Sequence, residues 1–126
     1  MIKIKKNEKI FKNIKILYTN ADQLNEGKKT ELKEIIRQSK PLIIAICEIK
    51  PKKITNRTKQ DYVIPDFITS DVNLFKNNGR GIAIYIHQSI SHCVTEIDHT
   101  SQFEEACVIE IQLEKKKQTC LQLFLP

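Results

Sequence analysis

The chain of 126 residues is poor in glycine and proline and has no tryptophan: Gly 3, Pro 4, Trp 0. Two of the three glycines, Gly79 and Gly81, flank Arg80, and no helix start follows them, which excludes a P-loop and favours a hairpin turn. No apolar stretch approaches the length of a membrane span, and Met1-Ile2-Lys3-Ile4-Lys5-Lys6 lacks the sustained apolar region of a signal peptide. The expected setting is therefore soluble and intracellular, nuclear or cytoplasmic, with no secretion and no membrane partner. The cysteines Cys47, Cys93, Cys107 and Cys120 show no paired short spacing of the zinc-site kind. Buried free thiols in a reducing compartment are the expectation. No internal repeat and no low-complexity linker interrupts the strand candidates. An apolar content of 40% over this length supports one modest core and not two.

What is present is a charge asymmetry. Residues 1–60 carry 16 Lys/Arg against 6 Asp/Glu, and residues 61–126 carry 5 against 9, so the halves are +10 and −4. A basic half is what a polyanion such as DNA favours. Lysines alternating with isoleucine in Ile2-Lys3-Ile4-Lys5 and Ile14-Lys15-Ile16 also read as the solvent face of strands. Lys50, Lys52, Lys53, Arg57 and Lys59 follow Glu48 in a surface-loop pattern, where they would hold phosphate.

After a basic leader over 1–13, Ile14 to Tyr18 reads as a strand. Asn25 or a neighbour caps a helix from about Gly27 to Gln38, with Leu32, Ile35 and Ile36 as its apolar stripe and Pro41 beyond its end. Leu42-Ile43-Ile44-Ala45-Ile46-Cys47 is an unbroken apolar run of the kind buried on both faces of a sheet, and Glu48 stands at its exit. With a helix between them, the two strands are expected to be parallel neighbours or near-neighbours in a right-handed crossover. That arrangement brings Asn20 and Glu48 to one sheet edge although 28 positions separate them. Residues 50–78 read as loop with short extended pieces near Tyr62-Val63-Ile64 and Phe67-Ile68. Asn77-Asn78-Gly79 marks a turn before a strand over Ile82 to Ile86, and a hairpin of Ala106 to Leu113 and Thr119 to Leu125 closes the pattern.

The order of Ile16 to Leu24, a helix, Lys40-Pro41-Leu42 into Ile46-Cys47-Glu48, then Asn78-Gly79-Arg80-Gly81-Ile82-Ala83-Ile84-Tyr85-Ile86 and Phe103 to Ile111 resembles the endonuclease/exonuclease/phosphatase superfamily. Within it, the likeness is to the N-terminal part of the endonuclease domain of non-LTR retrotransposons, and it covers roughly residues 14–125. The resemblance implies an α/β fold, a partial four-layer sandwich with a mixed, mostly antiparallel sheet and one main helix over 14–126. It implies a hydrolase that nicks DNA with Mg²⁺, Mn²⁺ being an alternative ion. Glu48 matches the family's principal metal ligand. Asn20 matches the residue that orients the scissile phosphate, and Arg80 is a candidate phosphate contact. Leu121 to Pro126 stands where the family has a Tyr-Arg-Pro strand, ahead of its Asp-x-Asn and Ser-Asp-His motifs. The expectation is an incomplete site, inactive alone, with weakly held metal and an exposed apolar sheet face that self-associates or takes the missing half. The alternative is a non-catalytic, basic nucleic-acid-binding or interaction remnant.

Other residues invite chemistry less well. Asp71-Val72-Asn73 and Asp98-His99 mimic the later motifs out of order, and the first is expected to be turn chemistry. His87, His92 and Cys93 lack regular ligand spacing. Tyr85 and Phe103 are expected to be packing residues.

Overall fold

The computed structural model describes residues 3–5, 14–52, 59–72, 74, 79–96, 107–114 and 119–125. Its elements in chain order are β1 (Lys3–Lys5), β2 (Ile16–Asn20), α1 (Glu26–Ser39), β3 (Ile43–Cys47), β4 (Phe67–Val72), β5 (Ile82–His87), β6 (Val94–Glu96), β7 (Cys107–Glu114) and β8 (Thr119–Leu125). Short 3-10 helices cover Lys59–Tyr62 and Gln88–Cys93. The result is a small α/β fold with one sheet ordered β2-β3-β5-β4 and a second ordered β1-β8-β7-β6.

The first sheet grows around β3. Its sequence Ile-Ile-Ala-Ile-Cys has no polar side chain to solvate, and all five residues are buried. Burying each isoleucine contributes about 1.5–3 kcal/mol. β2 lies parallel to β3, with Ile16 opposite Ile43 and Asn20 opposite Cys47. Parallel neighbours need a crossover, which α1 supplies. Asn25 caps it, its side chain accepting from the Lys28 amide at 2.9 Å, and Glu26 adds favourable charge in the first turn. At the other end Lys40 takes a left-handed conformation, φ 49°, and its amide donates to the Ile36 carbonyl. Pro41 then blocks continuation and the Leu42 amide bonds the Lys15 carbonyl, 3.0 Å, which starts the parallel ladder.

Antiparallel β5 covers the other side of β3, with Ile43 opposite Ile86 and Cys47 opposite Ile82. Leu32 of α1 is buried in one cluster with Ile44, Ile46, Ala83 and Tyr85, and Leu17 and Ile36 pack against it. Tyr85 is fully buried and donates its hydroxyl to the Tyr62 carbonyl at 2.7 Å, so burial is satisfied at its polar end and pushes the phenol pKa well up. It is a packing residue, as its place in the strand pattern implied.

Several expectations are corrected. β2 starts at Ile16 and not Ile14, so Asn20 belongs to the strand itself. Phe67–Val72 is a full edge strand on β5, and Asp71 pairs with Ala83 in that ladder instead of forming a turn. Its polar centre, Thr-Ser-Asp, suits an edge that borders only one neighbour. The basic leader includes β1, paired antiparallel to β8 with Lys3 opposite Phe124, and β6 is a further strand beside β7. The apolar face opposite the helix is not open on the central strands: Ile43, Ala45 and Ile84 are 0% exposed, like Ile44 and Ile46 on the helix side. The exposed large apolar side chains among the described residues are Tyr18, Val63 and Ile68, which form no broad sheet face on β3 or β5. The expected hairpin of β7 and β8 is present, with a register shift between Gln112 and Glu114. Asn73, Asn77, Asn78, Asp98, His99 and Phe103, and the loop cations Lys53 and Arg57, lie outside the described residues.

Tyr85→Phe keeps the ring and removes the donor to the Tyr62 carbonyl; a loss of about 1 kcal/mol is expected from the urea midpoint. Ile46→Ala, which empties volume beside β5 and the helix, is expected to lose about 3 kcal/mol in the same measurement. Equal losses for the two variants would contradict this ranking.

Candidate functional site

The parallel β2 and β3 end at the same edge, and antiparallel β5 begins there. Beyond the strand ends the backbone stays paired. The Ala21, Gln23 and Leu24 amides donate to the Cys47, Glu48 and Ile49 carbonyls at 2.9, 2.8 and 2.9 Å. Across the other side, the Ile49 and Lys50 amides donate to the Gly81 and Arg80 carbonyls at 3.3 and 2.8 Å. Three segments far apart in sequence are thereby fixed as one ledge.

Glu48 interrupts this ledge with φ 50°, the left-handed region that glycine and few other residues occupy readily. Such a conformation costs about 1–3 kcal/mol and breaks the alternation of side chains along β3. The carboxylate is consequently presented at the rim, 40% exposed, while Ile49 beside it is 0% exposed. Asp22 and Gln23 also have positive φ, 41° and 73°, in the turn that follows Asn20. Asn20 stabilises that turn through its side-chain oxygen, which accepts from the Asp22 amide at 3.1 Å. Lys28 donates from its ammonium to the Ala21 and Asp22 carbonyls, tying the first turn of α1 to the same loop.

Arg80 joins all three segments. Its Nε donates to the Lys50 carbonyl at 2.9 Å, its Nη2 to Asp22 Oδ1 at 2.9 Å, and its Nη1 lies 3.5 Å from Glu48 Oε1. The Asp22 contact spans 58 positions of sequence. Its hydrogen bond from Arg80 holds the Asp22 carboxyl below the ordinary carboxylate range. Glycines on both sides allow this placement: Gly79 and Gly81 have φ 70° and 80°. A Cβ at Gly81 would stand 3.0 Å from Ile49 Cγ2 and 3.5 Å from Leu74 Cδ1.

The structure thus brings Asn20 and Glu48 to one edge, as the strand order implied, and places there Arg80 together with Asp22 and Lys28, the last two of which sequence reasoning gave no role. The one available signal for Asp22 was its place two residues after the strand-end Asn20, in a turn where Asn and Asp tolerate positive φ. Lys50, expected in a surface loop, is instead buried at 8% exposure with its chain against Gly81. Beside the edge, Tyr18 donates to the Cys47 thiol at 3.6 Å, which with partial burial raises the phenol pKa. Cys47 is a buried free thiol and Cys93 a half-buried one. His87 stands at the opposite end of β5, edge-on to Phe67 with its Nδ1 2.7 Å from Ser89 Oγ. An open groove of about 400 Å³ runs between β2 and α1 and reaches Asn20, Asp22 and Lys28.

Glu48 and Asp22 offer hard carboxylate oxygens, the donor type Mg²⁺ takes, and such ions are commonly held by one or two carboxylates with phosphate completing the shell. Among the described residues no group of three or more His, Cys, Asp or Glu is placed to share a metal ion. At this edge both carboxylates, Asp22 and Glu48, are paired with Arg80. No protein-family model, curated protein or solved structure matches this chain. Among the described residues no helix is long and apolar enough to cross a membrane.

Gly81→Ala combines a strained φ with a close approach to Ile49 and is expected to lose about 1–2 kcal/mol in chemical denaturation. The Asp22 carboxyl has a lower pKa folded than unfolded, so its contribution is fully present above the unfolded value and is lost as pH falls through the folded one. The difference in melting temperature between the wild type and Asp22→Asn is therefore expected to shrink below about pH 4. A constant difference across the acid range would contradict the ion pair.

Proposed function

We propose that this edge is the phosphodiester-handling edge of a Mg²⁺-dependent DNA endonuclease domain, of which the described residues supply part of the catalytic set. The observation that carries the reading is the β2–β3 register, which sets Asn20 opposite Cys47 and so beside Glu48. An amide and a carboxylate at the joined ends of two parallel strands support the reading that they correspond to the strand-end Asn and Glu of the retrotransposon endonucleases that the sequence resembles.

In this reading Glu48 holds the metal ion. When bound, Mg²⁺ would offset charge on the phosphate and lower the pKa of a water nucleophile. Asn20 uses its oxygen for the Asp22 amide, which leaves its NH₂ to donate to a phosphate oxygen. Arg80 and the paired backbone keep both groups on a rigid ledge, the kind of support a positioned substrate requires. The edge contains no histidine with a described side chain, since His87 lies at the far end of β5. Among the described residues the edge therefore supplies no imidazole base, and turnover is expected to be absent in the reading that the site is incomplete.

The second reading, a non-catalytic basic nucleic-acid-binding module, is favoured by the +10 charge of residues 1–60. The two separate on metal dependence. With Glu48 as a metal ligand, Mg²⁺ strengthens binding to a short DNA duplex beyond what NaCl of equal ionic strength allows, and Glu48→Ala abolishes that gain. Salt-sensitive binding that ignores both Mg²⁺ and Glu48→Ala would establish the second reading. Supercoiled plasmid with Mg²⁺ is expected to remain unnicked by the folded chain, with EDTA and Glu48→Ala as controls; nicking that requires both Mg²⁺ and Glu48 would show that the site is complete.

A further inference from the structure

The exposed cations of a nucleic-acid-binding edge normally face the phosphates, and Arg80, between two glycines, looks suited to that from its sequence alone. Its surroundings differ. The side chain is only 21% exposed; Nε and Nη2 donate to the Lys50 carbonyl and Asp22, and Nη1 lies within ion-pair distance of Glu48, 3.5 Å. Those acceptors come from the two loops that follow β2 and β3, and Arg80 itself precedes β5. One planar cation therefore crosslinks the ends of three strands.

We infer that Arg80 is a positioning residue, which sets the direction of the Glu48 carboxylate and closes the Asp22 turn, and that phosphate is not its ligand. This rests on the proposed function for its purpose and on the ion-pair geometry for its substance. The physical requirement is a fork: a guanidinium presents several N–H donors in one plane and can serve a carbonyl and two carboxylates together, whereas a lysine ammonium is a point charge on a flexible stem. A phosphate can be met by either side chain, because a lysine ammonium releases counterions as an arginine does. The strained φ of Glu48 gives the clamp a purpose. A carboxylate re-aimed by its backbone needs a partner to fix its rotamer, and among the described residues Arg80 lies within reach of Glu48 Oε1. Lys28 and Lys52 stand on the same side of the edge and contribute to holding Asp22 ionised, and Lys52 is exposed. The phosphate-facing charge falls to such residues.

The test uses the full chain with Arg80→Met, Arg80→Lys, Asp22→Asn and the Arg80→Met/Asp22→Asn double variant. Melting temperatures are expected to be non-additive, with Arg80→Met losing clearly less in the Asp22→Asn background than in the wild type. Arg80→Lys is expected to melt like Arg80→Met and not like the wild type. For a short DNA duplex, the slope of log Kd against log salt is expected to be the same for Arg80→Met and wild type, whereas a direct phosphate contact would lower it by about 0.9. Additive melting, rescue by Arg80→Lys, or that loss of slope would each overturn the inference. If Arg80→Met does not fold, Arg80→Lys and its combination with Asp22→Asn carry the same cycle. If the wild type fails to bind DNA, the proposed function fails, and the melting cycle with the lysine variant still decides the role of Arg80.

Discussion

The parallel pairing of β2 with β3 is the constraint on which the rest depends. Five residue pairs, Ile16 with Ile43 through Asn20 with Cys47, set which side chains share the edge. A one-residue slip would turn every side chain of β2 to the other face and separate Asn20 from the Glu48 loop. The register is protected at both ends: the Leu42 amide bonds Lys15 at the start, and the Ala21 amide bonds Cys47 at the finish. Between them, complete burial of Ile43 to Ile46 makes any slip of β3 expensive, since neither face has an exposed alternative.

The edge then trades stability for geometry. Three non-glycine residues in its two loops, Asp22, Gln23 and Glu48, have positive φ, and each is held by contacts that outlast the strands. Strain of this kind persists only where the surroundings over-determine it. Here they do so through the continued backbone ladder, the Lys28 ammonium on two loop carbonyls, and Arg80 on two carboxylates and a third carbonyl. These local contacts decide where the Glu48 carboxylate and the Asn20 amide point.

Much of this was legible in the sequence. The uninterrupted apolar run before Glu48 identified β3, the Asn25 cap and Pro41 bracketed α1, and a helix between two apolar strands implied parallel pairing and a shared edge. What escaped had different physical causes. Only the Phe67-Ile68 start of β4 reads as extended, because its Thr-Ser-Asp centre follows the chemistry of an edge strand, with one ladder and one solvated side. β1 and β6 are three residues each, too short for a period to show. Asp22, Lys28 and Arg80 act through contacts made only after folding, and no spacing rule links positions 22 and 80. Residue order predicted that Asn20 and Glu48 meet at the edge; the hydrogen-bonding roles there required the loops that carry them.

The most direct test of the account is the location of a divalent ion on the folded chain. In an NMR titration of the isotopically labelled protein with Mn²⁺, the account predicts selective broadening of the amides of Asn20 to Gln23 and Glu48 to Lys50, lost in Glu48→Gln. Broadening centred on the His87 end of β5, or broadening at the edge that persists without the Glu48 carboxylate, would contradict it.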